Sequence, residues 1–208
     1  MARGLAIGLA GLAGFVDAMG FLMLSGFYVA FMSGNSTLLS IGIAAGSEGR
    51  MELAAGLVAS FVAGVALGTL VGQRMGRHRP AGTLVTVAAL LAVACGLNLA
   101  GAFVSCGLML ALAMGAENTV FQKQGQTGIG LTYMTGTLVR LGQRLAEAVT
   151  GGSWAAILPD VLLWVGMLAG ALLGAAMFRL VGLAGMWLAV GAALAMALAA
   201  WLDAREAE

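Results

Sequence analysis

Apolar residues run almost unbroken through six stretches of this chain, about 4–25, 52–73, 82–102, 103–122, 155–178 and 182–202. Each is long enough to cross the ~30 Å hydrocarbon core of a bilayer as a helix. Polar positions gather between the stretches. Arg74, Arg77, His78 and Arg79, followed by Pro80, part the second from the third. Pro159 falls in the first turn of the fifth, where a missing N–H costs no hydrogen bond. Met1 to Leu12, with Arg3 ahead of apolar residues, has the outline of a signal peptide. The apolar run continues to Leu24, however, and predicts a first span instead.

Two polar interruptions fit none of the six. In Phe27-Tyr-Val-Ala-Phe-Met-Ser-Gly-Asn-Ser36, the residues Ser33, Gly34, Asn35 and Ser36 are cap and turn formers. They predict a short helix over about 35–46. Gly130-Leu-Thr-Tyr-Met-Thr-Gly-Thr137 does the same for a second short helix over about 136–149. A helix of about 11 residues rises ~16 Å, roughly half the hydrocarbon core. Each is therefore predicted to re-enter, not to cross. The segments Phe27 to Met32 and Ile129 to Met134 are rich in β-branched and aromatic residues, which allows two short strands near the midplane. Such paired half-helices are similar, at the level of fold, to those of sulfate and nucleobase permeases.

The chain also repeats itself. Met32, Ser33 and Gly34 recur as Met134, Thr135 and Gly136, an offset of 102, and Gly64, Gly68 and Gly72 recur as Gly166, Gly170 and Gly174 at the same offset. With a two-residue gap, Gly14-Phe-Val-Asp17 lies against Met114-Gly-Ala-Glu117. The expected fold is an all-α membrane protein: a single transmembrane domain over 1–208, with six transmembrane helices and two short re-entrant half-helices. Repeat one covers about 4–102 and repeat two about 103–202. Three spans per half make the repeat inverted, 3+3, a plan found in many secondary transporters. Basic residues set the orientation. With both termini cytoplasmic, Arg3, Arg74, Arg77, Arg79, Lys123, Arg140, Arg144 and Arg205 fall on the cytoplasmic side, and only Arg50 and Arg179 fall outside.

Composition agrees. The 208 residues are 61% hydrophobic and 9% charged, against about 25% charged in soluble domains. The partner this implies is the lipid bilayer. The 33 glycines suit closely packed membrane helices. A formal charge of +1 argues against nucleic acid. Cys95 and Cys106 lie in apolar runs without metal-ligand spacing and read as small buried hydrophobes. No metal and no cofactor is expected. The absence of a nucleophile–base pair or phosphate loop argues against an enzyme, so no catalytic residue is assigned. The chain's size allows a homodimer.

Gly14-Phe-Val-Asp-Ala18 followed by Phe31-Met-Ser-Gly-Asn-Ser36 resembles the YoaK-like family of small bacterial inner-membrane proteins, whose members carry a G-x-x-D-A helix and then an F-x-T-G-N turn. Ser33 stands where the family has threonine, and Thr137 replaces asparagine in the second half. The resemblance implies a multi-pass protein of the bacterial inner membrane. It implies no activity.

The residues supply the functional expectation. Two helix N-termini meeting near the midplane offer unpaired N–H groups and the positive ends of helix dipoles. Ser33, Gly34, Asn35, Ser36, Thr135, Gly136, Thr137 and Arg140 are the expected binding residues, for a small anion or the carboxylate of a small solute. Asp17 and Glu117 are the candidate coupling residues for proton or cation movement; a structural hydrogen bond is the alternative role for each. Arg140 is expected near Glu117 or Asp17. The primary reading is a small-solute secondary transporter. A passive channel and a non-transporting scaffold or partner subunit are the alternatives.

Overall fold

A computed structural model describes residues 2–121 and 134–206. Among them the chain forms eight α-helices and no strand: α1 (Ala2–Met23), α2 (Met32–Ala44), α3 (Glu48–Met75), α4 (Arg79–Leu99), α5 (Phe103–Glu117), α6 (Met134–Val149), α7 (Leu158–Val181) and α8 (Met186–Glu206). Three continuous helical stretches, Arg3–Met23, Glu48–Leu99 and Trp154–Glu206, are long and apolar enough to cross a membrane. The second and third are each broken at a glycine with positive φ, Gly76 (54°) and Gly182 (60°). Other residues seldom adopt that conformation. Beyond Gly76, α4 folds back on α3. Helix α5 has 15 residues and rises only about 22 Å. It ends at Glu117, and residues 118–121 form turns where the apolar pattern predicted helix up to 122.

Small residues decide how the helices meet. On α7, Gly166, Gly170 and Gly174 face the backbone of Ile7, Gly11 and Phe15 on α1. On α3, Gly64 and Gly68 face Leu112 and Ala116 of α5. Gly14 and Gly115 return the contact, against Met167 and Phe61. A methyl group at any of these glycines would run into main-chain atoms, which cannot move aside as a side-chain tip can. Residue numbers rise together along both pairs, so α1 runs parallel to α7 and α3 parallel to α5. Helix α4 packs on α5 and α8, α2 on α3, and α6 on α7. Leu9, Val16, Met19, Leu84, Leu91, Leu110 and Met114 fill the interior. The outward faces are apolar as well, with Leu70, Val93, Leu172, Leu180 and Leu198 exposed. A water-facing surface would carry charge at such density; this one is built for lipid.

After α1 the chain doubles back. Ser25 and Gly26 take positive φ (53° and 106°), and Tyr28–Phe31 runs down beside the last turns of α1, where Val29 fills the space left by Gly20. Helix α2 starts there, at Met32, and climbs back: Gly42 meets the backbone of Met51, and the Arg50 guanidinium stacks 4.9 Å from the Phe27 ring centroid. Tyr28–Phe31 is irregular, not a strand. The segment proposed as its strand partner, 129–133, lies outside the described residues, as does Lys123.

Candidate functional site

Two side chains of the first half fix the doubled-back segment. Asp17 Oδ1 accepts the N–H groups of Val29 at 2.8 Å and Ala30 at 2.7 Å. Asn35, fully buried, donates Nδ2–H to the Tyr28 carbonyl at 2.6 Å and accepts the Tyr28 N–H on Oδ1 at 3.0 Å. A buried backbone outside any regular hydrogen-bond ladder needs such partners for its N–H and C=O groups. Asn35 imitates the paired donor and acceptor of a neighbouring strand. Asp17 does the work of an oxyanion receptor in reverse, one acceptor gathering two donors.

This arrangement revises the capping reading. Helix α2 begins three residues before the expected start, and its N-cap, Phe31, makes no side-chain capping bond. The polar residues that resembled caps sit inside the helix. Ser36 Oγ donates back to the Met32 carbonyl and Thr37 Oγ1 to the Ser33 carbonyl, a common use of hydroxyls in helices. Ser33 and Ser36 are exposed. The space that Gly34 leaves open is taken by the rings of Phe31 and Tyr28, not by a ligand. Those rings form a row with Phe21, tilted by 42° at 4.8 Å between centroids for Phe21–Tyr28 and edge-to-face at 5.1 Å for Tyr28–Phe31.

In the second half, Thr135 is exposed while Gly136 and Thr137 are buried. Arg140 donates to Thr137 Oγ1 at 2.9 Å and to Asp160 Oδ1 at 3.2 Å. Arg144 reaches Asp160 Oδ2 at 2.8 Å and the Ala156 carbonyl at 2.6 Å. The acid beside Arg140 is therefore Asp160, not Glu117 or Asp17 as the sequence had led us to expect. Asp160 was legible as a partner: it opens α7 just after Pro159, and Arg140 and Arg144 sit one helical turn apart facing it. The cluster ties the middle of α6 to the start of α7. Glu117 is fully buried, and neither of its carboxylate oxygens has a hydrogen-bond partner among the described residues.

The starts of α2 and α6 come together. Phe31, just before α2, and Met134, the first residue of α6, line one cavity of about 240 Å³. Ala13 and Asp17 from mid-α1, Met167 from mid-α7, and Tyr28 and Ala30 are its other lining residues among those described. Of the residues expected to bind a solute or to couple transport, the cavity wall holds Asp17; Asn35 touches it through Tyr28. Among the described residues no group of His, Cys, Asp and Glu side chains could hold a metal ion.

Apolar outward faces, glycine-locked helices and a buried polar clamp holding irregular backbone define an α-helical integral membrane protein. The chain belongs to the family described as "Protein of unknown function (DUF1275)", whose profile matches residues 5–199. It is 36% identical over 190 residues to the UPF0700 transmembrane protein RA0705 of Rhizobium meliloti (strain 1021), covering 91% of this chain and 82% of that one. It is 35% identical over 138 residues to the UPF0700 transmembrane protein YoaK of Bacillus subtilis (strain 168), covering 62% of this chain and 60% of that one. The YoaK-like resemblance read from the two motifs thus holds. No solved structure matches.

Proposed function

We propose that this protein is a small-solute secondary transporter of the bacterial inner membrane, with both termini cytoplasmic and with α2 and α6 as re-entrant half-helices. One observation carries the reading: the starts of both short helices open on a single cavity midway along α1 and α7. Helix α2, with 13 residues the shortest of the eight, rises about 20 Å against a hydrocarbon core of ~30 Å. Arg50 at the start of α3 returns to Phe27, four residues past the end of α1, as a re-entrant α2 requires.

Helix pairing supports the repeat. Exchanging α1, α2, α3 and α4 for α5, α6, α7 and α8 turns the α1–α7 contact into α5–α3, α2–α3 into α6–α7, and α4–α5 into α8–α1, all of which exist. The glycine contacts then equate Gly14 with Gly115 and Gly64 with Gly170.

The cavity wall narrows the substrate. Tyr28, Phe31, Met134 and Met167 offer apolar surface that would not replace an inorganic ion's hydration shell. A small organic solute suits it, its carboxylate or other acceptor head turned toward the helix starts. By volume the cavity holds about eight waters. Uptake into proteoliposomes from a panel of small carboxylates and neutral solutes tests this. Saturable uptake that stops when Ala13→Leu fills the cavity is the expected result. Conductance without saturation favours a channel; no flux for any solute favours a scaffold.

A further inference from the structure

The two buried acids of the bundle are not equivalent, and we propose that Glu117, not Asp17, is the proton-binding carboxyl of this protein. In its coupling role the assignment rests on the transport reading above. Asp17 is already in use: its Oδ1 accepts the amides of Val29 and Ala30 and so holds the segment that leads into α2. Among the described residues Glu117 holds nothing: it is 0% exposed, and both carboxylate oxygens lack a partner there.

A second orphan lies at the same level. Helices α4 and α5 are joined through 100–102 and pack against each other, so they run antiparallel. Cys95, four residues before the end of α4, and Cys106, three residues after the start of α5, stand at similar heights beside that turn. Eleven residues, about three turns, further along each helix bring Leu84 level with Glu117, and Thr83 is the neighbour of Leu84. Thr83 is also 0% exposed, and its Oγ1 is also without a partner among the described residues. Two adjoining helices thus bury a carboxyl and a hydroxyl at one depth, both unsatisfied. Structures rarely tolerate one such group without a reason.

A bare carboxylate there has no donor to compensate its charge, and an unpaired buried charge is among the costliest groups in a fold. Binding one proton removes the charge and creates an O–H that can donate. The charged and titratable groups on the helices packed against α5 do not replace that proton. They are Arg3 and Asp17 on α1, Glu48, Arg50, Glu52 and Arg74 on α3, and Arg79 and Cys95 on α4. None makes a hydrogen bond to Glu117, and the Arg79 side chain lies against Gly72 of α3.

Dicyclohexylcarbodiimide reports on such a group, since it modifies protonated carboxyls in apolar surroundings. The full chain, purified in detergent, is treated across a pH series and its peptides are read by mass spectrometry. The expected result is an adduct on Glu117 that grows toward acid pH, none on Asp17, and none at position 117 in Glu117→Gln. In proteoliposomes Glu117→Gln keeps solute exchange but loses uptake driven by a proton gradient. No adduct on Glu117 at any pH, or an adduct on Asp17 in its place, overturns the assignment. An adduct on Glu117 in a wild-type protein that moves no solute supports the proton site and removes the transport reading, so the two fail separately.

Discussion

At the scale of residues, the motif Gly14-x-x-Asp17 with Phe31-x-x-Gly34-Asn35 is a device for holding backbone. Asp17 and Asn35 together satisfy three amide N–H groups and one carbonyl of Tyr28–Ala30. Each buried group left without a partner costs about 1–3 kcal/mol. Asp17→Ala should therefore lower stability by about 2–5 kcal/mol, measured as thermal unfolding in detergent. Asp17→Asn keeps an acceptor oxygen and should lose less than half as much. A coupling role predicts a different split, with Asp17→Asn fully stable but inactive. Asn35→Asp keeps the acceptor but loses the donor and turns charge on the Tyr28 carbonyl, so it should unfold no later than Asn35→Ala. The importance of Asp17 and Asn35 was visible in the sequence because polar groups in apolar runs need a reason. Their partners were not: bonds spanning 7, 12 and 13 residues leave no local pattern.

At the scale of elements, the long helices were legible because a membrane demands unbroken apolar length. Breaks came at Arg-rich or glycine-containing turns for the same reason. The start of α2 was not legible, because serine, threonine and asparagine favour caps in solution but bond back to their own helix or to distant backbone in lipid. The glycine ladders hid a further ambiguity. A ladder with glycine at every fourth position matches itself after a slip of one turn, so a constant offset of 102 set Gly64 beside Gly166. Under the proposed repeat, the contacts pair Gly64 with Gly170 instead. Gly170→Ala should force α1 from α7, because its methyl meets the Gly11 carbonyl; overpacking of this kind costs about 1–3 kcal/mol. Gly96 on α4 has open space around it, so Gly96→Ala should be neutral or stabilising by up to ~1 kcal/mol. Comparing their melting temperatures with the parent separates packing from helix propensity.

At the scale of the whole molecule, the proposed re-entrance of α2 and α6 fixes which loops share a side. Single cysteines at Ser47, Arg77, Gly101 and Ser153, with Cys95 and Cys106 replaced by alanine, can be labelled by a membrane-impermeant maleimide in oriented vesicles. Ser153→Cys should react from the side of Arg77→Cys, and Ser47→Cys and Gly101→Cys from the other. If α2 and α6 crossed fully, Ser153→Cys would react with Ser47→Cys and Gly101→Cys. Under the transport reading, the bodies that move against each other are not the halves of the sequence. They are α1 with α6 and α7, and α3 with α2 and α5, each drawn from both halves. That interlocking also bears on biosynthesis. The ribosome releases α1 long before α7 exists, so the strip of Ile7, Gly11 and Phe15 waits in the bilayer without its mate. A nascent chain in that condition is a client for an insertase. Two fragments severed at Gly101 should each be degraded when made alone and should protect one another when made together.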